Sequence, residues 1–393
     1  MSENIVITAI ARTPMGGFQG VLTDASAAEL GAAAIRAAVE RSQLQGEDID
    51  EVIMGCVLPA GQGQAPARQA SLAAGLPLAT GCTTINKMCG SGMKAAMFAN
   101  DLLKAGSNRV MVAGGLESMT NAPYILTRAR AGMRMGHGQV YDHMFLDGLE
   151  DAYDKGKLMG VFAEATADKY GFSREQQDEF AIASLRRAQA AIESGAFKDE
   201  ITPVVIKTRK GEVTVDTDEQ PFNANIEKIP SLRAAFRQDG TVTAANSSSI
   251  SDGGAALVLM GATEAEKRGI QPLAVIRAHA THAQEPAWFT TAPVGALKKV
   301  LEAANWSSDE VDLYEINEAF AVVTMAAMQD LGLDHARVNV NGGACALGHP
   351  IGASGARIIV TLIAALQNRG LKKGVAGLCI GGGEATAVAL ELL

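Results

Sequence analysis

Hydrophobic and polar positions fall into two kinds of block along this chain. Short, nearly all-apolar runs have strand length: IVITAIA near the N-terminus, VIMGCV from Val52, VMVAGGL from Val110, AALVLMGA from Ala255 and ATAVALELL at the end. Between them lie longer segments with a helical period, such as Ala27 to Arg41, Met93 to Ala105 and PVGALKKVLEAANW from Pro293. Apolar runs bounded by turn residues suit strands buried on both faces, and the longer periodic segments suit the helices that cover them. The alternation predicts an α/β protein with parallel sheets.

The pattern also repeats. The Ala-rich helix at 27–41 leads through GEDIDEVIMGCV, helix, acidic turn, strand; PVGALKKVLEAANW leads through SSDEVDLYEINEAF in the same order. The strands start at Val52 and Val311, an offset of 259. GSGMKAAMFANDLLKAGSNRVMVAGGLES and GASGARIIVTLIAALQNRGLKKGVAGLCIGGGEA share a second order: Ser-Gly, helix, basic turn, strand, glycines. Their serines are Ser91 and Ser354, an offset of 263. Similar offsets at two places predict duplicated halves.

The second half passes through its glycines straight into a last strand. The first half reaches its matching strand only at Asp252, so about 130 residues are inserted, from roughly Asn121 to Ser251. The insert holds clustered charge, the loop RARAGMRMGHG and a helix expected from Ser173, with Gln176 completing a capping box and Gly195 ending the helix. The expected division is residues 1–269, carrying the insert at 121–251, followed by residues 270–393.

Composition narrows the function. Hydrophobic residues make up 48 % and charged residues 20 %, an ordinary globular balance. A net charge of −9 and a pI near 5.3 argue against a general nucleic-acid binder. No apolar run approaches a membrane span, and MSENIVITAIARTP does not read as a signal or transit peptide. The five cysteines, Cys56, Cys82, Cys89, Cys345 and Cys379, are spread out and have no zinc-ligand spacing. They suit reduced thiols in a cytoplasmic setting.

Candidate chemistry sits at the turns. In NKMCGSGMKA, Cys89 precedes the helix whose start is marked by Gly90, Ser91 and Gly92. A helix N-terminus favours a thiolate; equally, a small buried Cys suits a strand–helix corner. His349 lies among glycines in GGACALGHPIGASGAR, in a loop, as a general base, a hydrogen-bond donor or simply a turn residue. Cys379 ends a strand in LCIGGGEA, where free backbone amides can form an oxyanion nest; a nucleotide loop fits poorly without GxGxxG or a following Lys. In YEINEAFA, Asn317 caps a helix or holds a catalytic water, with capping the simpler expectation. Together these residues suit acyl transfer with carbanion chemistry.

Over essentially the whole chain these motifs resemble the thiolase family, in its acetyl-CoA acetyltransferase branch. The resemblance rests on ARTPMGGFQG, NKMCGSGMKA, AGGLESM, RKGEVTVDTDE, NEAFA, NVNGGACALGHPIGASGAR and CIGGGEA. It implies two βαβαβαββ halves in five layers with an inserted loop domain. It implies Cys89 as the acylated nucleophile, His349 as its proton acceptor and Cys379 as the base at the α-carbon. Asn317 would hold a water that, with His349, binds the thioester oxygen; the N–H groups of Cys89 and Gly381 would form a second oxyanion hole. Ser248, Leu149, Leu158, Met159, Phe236, Ala319 and Phe320 would line the acyl and coenzyme A site. Neither a metal nor a redox cofactor is implied, coenzyme A being substrate and product. Lys207, Arg209, Lys210, Lys228, Arg233 and Arg237 are candidates to meet the coenzyme's phosphates, or a solvated surface.

The family assembles as dimers or tetramers, and the loop at Arg128 to Gly138 resembles the segment that joins dimers, so a homotetramer is expected. Two positions depart from the family. Leu158 stands where acetoacetyl-CoA-specific members often have His, which leaves a broader 3-ketoacyl-CoA thiolase of β-oxidation open. Cys345 stands where an aliphatic residue is usual. The rivals are a ketoacyl-synthase-like enzyme, which would lack Cys379, a carrier that has lost a catalytic position, and a redox protein with a Cys89–Cys379 disulfide.

Overall fold

The computed structural model describes residues 3–209 and 211–393. In chain order the first half contributes β1 (Ile5–Arg12), α1 (Ala27–Arg41), β2 (Glu51–Gly55), β3 (Gly81–Ile85), α2 (Ser91–Lys104) and β4 (Val110–Ser118). The segment after β4 includes α3 (Met159–Tyr170) and α4 (Arg174–Glu193), and the chain re-enters the sheet as β5 (Ser251–Gly261). The second half supplies β6 (Ala274–Ala283), α5 (Ala292–Ala304), β7 (Leu313–Ile316), α6 (Ala321–Leu331), α7 (Ser354–Arg369), β8 (Lys373–Ile380) and β9 (Glu384–Leu392).

These strands, with Gly16–Gly17 paired on β5, form one ten-stranded sheet in the order β7-β8-β9-β6-β1-β5-β4-β2-β3. The duplication is visible in that order. Each half has a parallel pair (β2–β4, β7–β8) followed by antiparallel partners (β4–β5, β8–β9), and the halves join where β1 meets β6 at Val6↔Val275 and Ile7↔Ala274. In one half β8 and β9 are linked by the turn Gly381–Gly383. In the other, the equivalent strands β4 and β5 pair directly, Ser118 opposite Asp252, and the whole insert lies between them.

Helices make the layers. α1 covers β1, β4 and β5; α5 covers β6, β8 and β9; α2 and α7 pack on each other between the two half-sheets. This gives five layers, with three apolar cores between them. Local sequence explains the helix ends. Ser26 and Glu29 form a reciprocal capping box on α1, as Ser173 and Gln176 do on α4, and Gly195 (φ +75°) follows α4 in the left-handed conformation. α2 is less enclosed than its apolar run suggests: Phe98 is 39 % exposed, with the Lys94 ammonium 4.6 Å above its ring. No helix among the described residues is long and apolar enough to cross a membrane.

The central contact is between glycines. A β-carbon on Gly355 would lie 2.4 Å from the Met93 nitrogen, and one on Gly92 would lie 2.8 Å from the Ala356 nitrogen. Only glycine allows α2 and α7 to start against each other this closely.

A buried ion triad docks the insert. Arg12, at the end of β1, bonds Glu200 at 2.5 Å and Asp218 in a fork at 2.7 and 2.8 Å, and all three are fully or almost fully buried. Asp218 also accepts the Met15 N–H, and Glu200 accepts the Thr361 hydroxyl of α7. Arg12→Met strands two carboxylates in the interior. Its expected cost is about 3–5 kcal/mol of stability, read as a lower thermal midpoint and faster proteolysis within the insert.

Candidate active site

The chain turns sharply between β3 and α2. Met88 is in the left-handed region (φ +46°), and the Ser91 hydroxyl accepts from the Lys87 N–H at 2.8 Å and donates to the Met88 carbonyl at 2.6 Å. Cys89 therefore sits on a tight corner immediately before a helix start. Gly90 beside it leaves room for the other half: a β-carbon there would lie 2.4 Å from Ile380 Cδ1, whose side chain would have to shift. Lys87 pairs with Glu384, joining this turn to the glycine turn after β8.

The helix N-terminus alone does not make Cys89 a thiolate. Burial pushes its pKa up to about 11, against the N–H groups of Gly381 and of Cys89 itself, which bond the sulfur and lower it; Glu117 adds a further rise. Cys89 rests as a thiol that is still reached from the cavity, so it needs a base.

His349 is the candidate for that base. His349 lies in the turn between the short helix Ala344–Leu347 and α7. Its Nδ1 is 2.6 Å from the Ser354 hydroxyl, while its buried Nε2 has no partner. Burial, then the Arg357 charge, push its pKa down to about 3. The imidazole is therefore neutral at rest, and its Nε2 is open to a partner in the cavity. Cys379, at the end of β8, is fully buried; burial and the neighbouring Cys89 hold it well above an ordinary thiol.

Asn317 follows β7, and the capping role expected for it is not formed. α6 starts at Ala321 with Phe320 at its cap position, because the chain stays extended through Phe320 (φ −142°). The Asn317 side chain is buried with both amide atoms unpartnered, a place for a water or a substrate oxygen. Glu318 beside it is spoken for, accepting from Ser184, Asn339 and the Cys345 N–H.

A cavity of about 370 Å³ unites these groups. Cys89, His349, Cys379, Gly381, Ser248, Leu149, Leu158, Met159, Phe236, Ala319 and Phe320 all line it. Asn317 lies just behind the wall, its carbonyl bonded by the Ala319 N–H. Phe236 and Phe320 meet edge to face at 5.9 Å. The motif reading missed Phe145, Phe289 and Ile351 in the lining, since an apolar residue carries no signature of its own; Phe145 and Phe289 sit in short helical turns. It also passed over Glu117 and Ser354, although both lie in motifs quoted above.

Of the expected phosphate contacts, Arg237 is committed elsewhere: it bonds Asp168 at 2.6 Å and approaches Glu164 at 3.5 Å, both on α3. Lys207, Arg209, Lys228 and Arg233 are exposed and outside the cavity lining. Lys210 lies outside the described residues. Cys345 also lies outside the lining, its sulfur 3.7 Å from the Glu318 carbonyl.

An activatable thiol, a neutral imidazole, a second thiol and convergent backbone donors are the parts of an acyl-transfer enzyme working through a cysteine. Comparison with known proteins gives the family. Residues 5–263 match the thiolase N-terminal domain, and residues 270–392 match the thiolase C-terminal domain. The acetyl-CoA acetyltransferase of Pseudomonas aeruginosa is 50 % identical over 390 residues, 99 % of each chain, and that of Escherichia coli is 49 % identical over the full length of both. The crystal structure of the Bacillus anthracis acetyl-CoA acetyltransferase superimposes with a TM-score of 0.97 at 43 % identity, covering 100 % of this chain and 99 % of that one. A thiolase from Ascaris suum in complex with coenzyme A gives 0.94 at 42 % identity, with both chains fully covered. The chain belongs to the thiolase family.

Alkylation tests the resting state of Cys89. The rate of Cys89 modification by iodoacetamide should keep rising with pH beyond 9, toward the value of about 11, because only the thiolate reacts. A plateau below pH 8 would contradict a resting thiol.

Proposed function

We propose that the protein is an acetyl-CoA C-acetyltransferase, condensing two acetyl-CoA to acetoacetyl-CoA and coenzyme A and running the reverse thiolysis. The observation that carries this reading is the meeting of two thiols, Cys89 and Cys379, with the unpartnered Nε2 of His349 in one cavity. His349 Nε2 takes the Cys89 proton; the sulfur attacks the first thioester; the bond to coenzyme A breaks, and its sulfur receives the proton. Acylation of Cys89 removes one of the two causes that keep Cys379 protonated. Cys379 passes its proton to the vacant His349 Nε2 and, as the thiolate, takes a proton from the methyl group of the second acetyl-CoA. The resulting carbanion attacks the acyl group on Cys89 and expels its sulfur, which recovers the proton held by His349.

Donors aimed at the developing oxyanions favour both steps. The N–H groups of Cys89 and Gly381 serve the acyl-enzyme oxygen. The Asn317 amide holds a water for the enolate oxygen together with His349. The cycle is written without a metal or redox cofactor. Ser248 and the insert hold coenzyme A, with the exposed cations Lys207, Lys228 and Arg233 available to its phosphates. Reduced thiols fit a cytoplasmic setting.

Chain length is the finer question. Leu158, Phe145 and Phe289 give the cavity an apolar wall, which favours tolerance of longer 3-ketoacyl chains as a second reading. Thiolysis of acetoacetyl-CoA, 2-methylacetoacetyl-CoA and a C6 to C10 series decides. A sharp preference for acetoacetyl-CoA supports the acetyltransferase, comparable kcat/KM for long chains supports the broader enzyme, and no turnover refutes both. Cys89→Ser should lose acylation. Cys379→Ser should still acylate at Cys89 but lose condensation, as trapping of the radiolabelled acyl-enzyme would show.

We also propose a homotetramer. β3 is the last strand of the sheet, with its outer edge unpaired in the monomer. The projecting loop exposes Leu126, Met133, Met135 and Val140. Met133→Asp with Met135→Asp should halve the mass seen by light scattering; an unchanged mass would rule that loop out as the dimer–dimer contact.

A further inference from the structure

The duplication extends into the site. The offset of 263 that relates Ser91 to Ser354 also relates Met88 to Ile351, Cys89 to Gly352 and Gly92 to Gly355. The turn leading into α7 is therefore the counterpart of the nucleophile's turn. It carries His349 at its start and a glycine where the other carries the thiol. The two serines act alike: Ser91 bonds the Met88 carbonyl, and Ser354 bonds the Pro350 carbonyl while meeting His349 Nδ1.

The same offset relates Ile380 to Glu117. Ile380 packs its side chain on the nucleophile's turn, at Gly90. Glu117 reaches the counterpart turn, but with a carboxylate. That carboxylate accepts the Gly352 N–H at 2.9 Å from the second half, and the Val57 and Leu58 N–H groups at 2.9 and 3.2 Å from the first; Cys56 Sγ is 3.6 Å away. Glu117 is fully buried. A β-carbon on residue 352 would lie 2.5 Å from its Oε2, so this approach needs glycine there.

We propose that Glu117 is a positioning residue: its carboxylate ties the turn that carries His349 to the half that carries Cys89, and so sets His349 Nε2 against the thiol. The proposal rests on the acyl-transfer reading above. Three N–H groups converge on two oxygens, which a carboxylate satisfies without offering a donor of its own. An amide in the same shape turns an NH₂ group toward one of those N–H groups. Gly352 lies between His349 and Ser354, so release of its N–H moves both the ring and the hydroxyl that orients it. Burial raises the Glu117 pKa to about 7, while the three N–H groups oppose the rise.

The test uses the full chain. In Glu117→Gln, kcat for acetoacetyl-CoA thiolysis, counted per alkylatable Cys89, should fall roughly 10- to 100-fold, as a displacement of about 1 Å between reacting groups does. KM should stay within about threefold, because the lost interaction belongs to the reacting geometry rather than to substrate binding. If that variant does not fold, Glu117→Asp, one methylene short of Gly352, is read the same way. A folded variant with a lower thermal midpoint but unchanged kcat per site would show a merely structural carboxylate and overturn the proposal. A crystal structure of the variant gives a readout independent of turnover: residues 348–353 should shift relative to Cys89, and an unmoved turn overturns the proposal. An inactive wild-type protein would instead overturn the acyl-transfer reading.

Discussion

Two helix starts touch backbone to backbone at Gly92 and Gly355, and the rest of the molecule is arranged around that contact. The residues are counterparts in the duplicated halves, so the approach is a contact of one motif with its own copy. It can occur only if α2 and α7 share a layer between the half-sheets, with their apolar faces filling the central core. Their N-termini then lie side by side, together with the turns leading into them. Cys89 and His349, 260 positions apart in sequence, become neighbours because neither helix carries a side chain at the crossing.

The electrostatics follow from the same burial. A thiol and an imidazole deep in a folded chain are both driven toward their neutral forms, Cys89 upward and His349 downward. Arg357, fully buried in the first turn of α7, reinforces this on the histidine. Its own partner Glu315 is 3.7 Å away and is pushed up to about 8 by burial. Cys89 and His349 thus rest uncharged, and in so low a dielectric the backbone N–H groups aimed at the Cys89 sulfur count for more against any charge that develops there.

Much of this was legible in the sequence because it is written in local chemistry. Ser-Gly before an apolar run marked both central helices, Ser173 with Gln176 marked α4, and the recurrence of strand–helix orders exposed the duplication. The lining residues Leu149, Leu158, Met159, Phe236 and Ser248 came from the resemblance to the family, not from local chemistry. Asn317 was harder: Asn near a helix start is usually a cap, and only the extended backbone through Phe320 shows that it is not. Glu117 was invisible as a functional group because its partner Gly352 lies in the other half; Ser354, whose partners His349 and Pro350 are close in sequence, read only as the start of an apolar helix. Phe145 and Phe289 were invisible because an apolar side chain in a short helical turn reads the same whether it lines a cavity or simply packs.

The strands β4–β5 and β8–β9 are equivalent pairs, one closed by Gly381–Gly383 and the other by everything between Ser118 and Ser251. In topological terms both are hairpins. Loop-closure entropy grows only with the logarithm of loop length, so enlarging one tip from three residues to a folded unit strains the parent sheet little. The enlarged tip now lines the cavity with Leu149, Met159 and Phe236, and its short twin adds Gly381 beside Met159. Duplication supplied two copies of a single scaffold. The divergence of one hairpin tip turned a symmetric pair into a site with a reacting side and a recognition side, and it left that tip as the part of the chain most open to exchange.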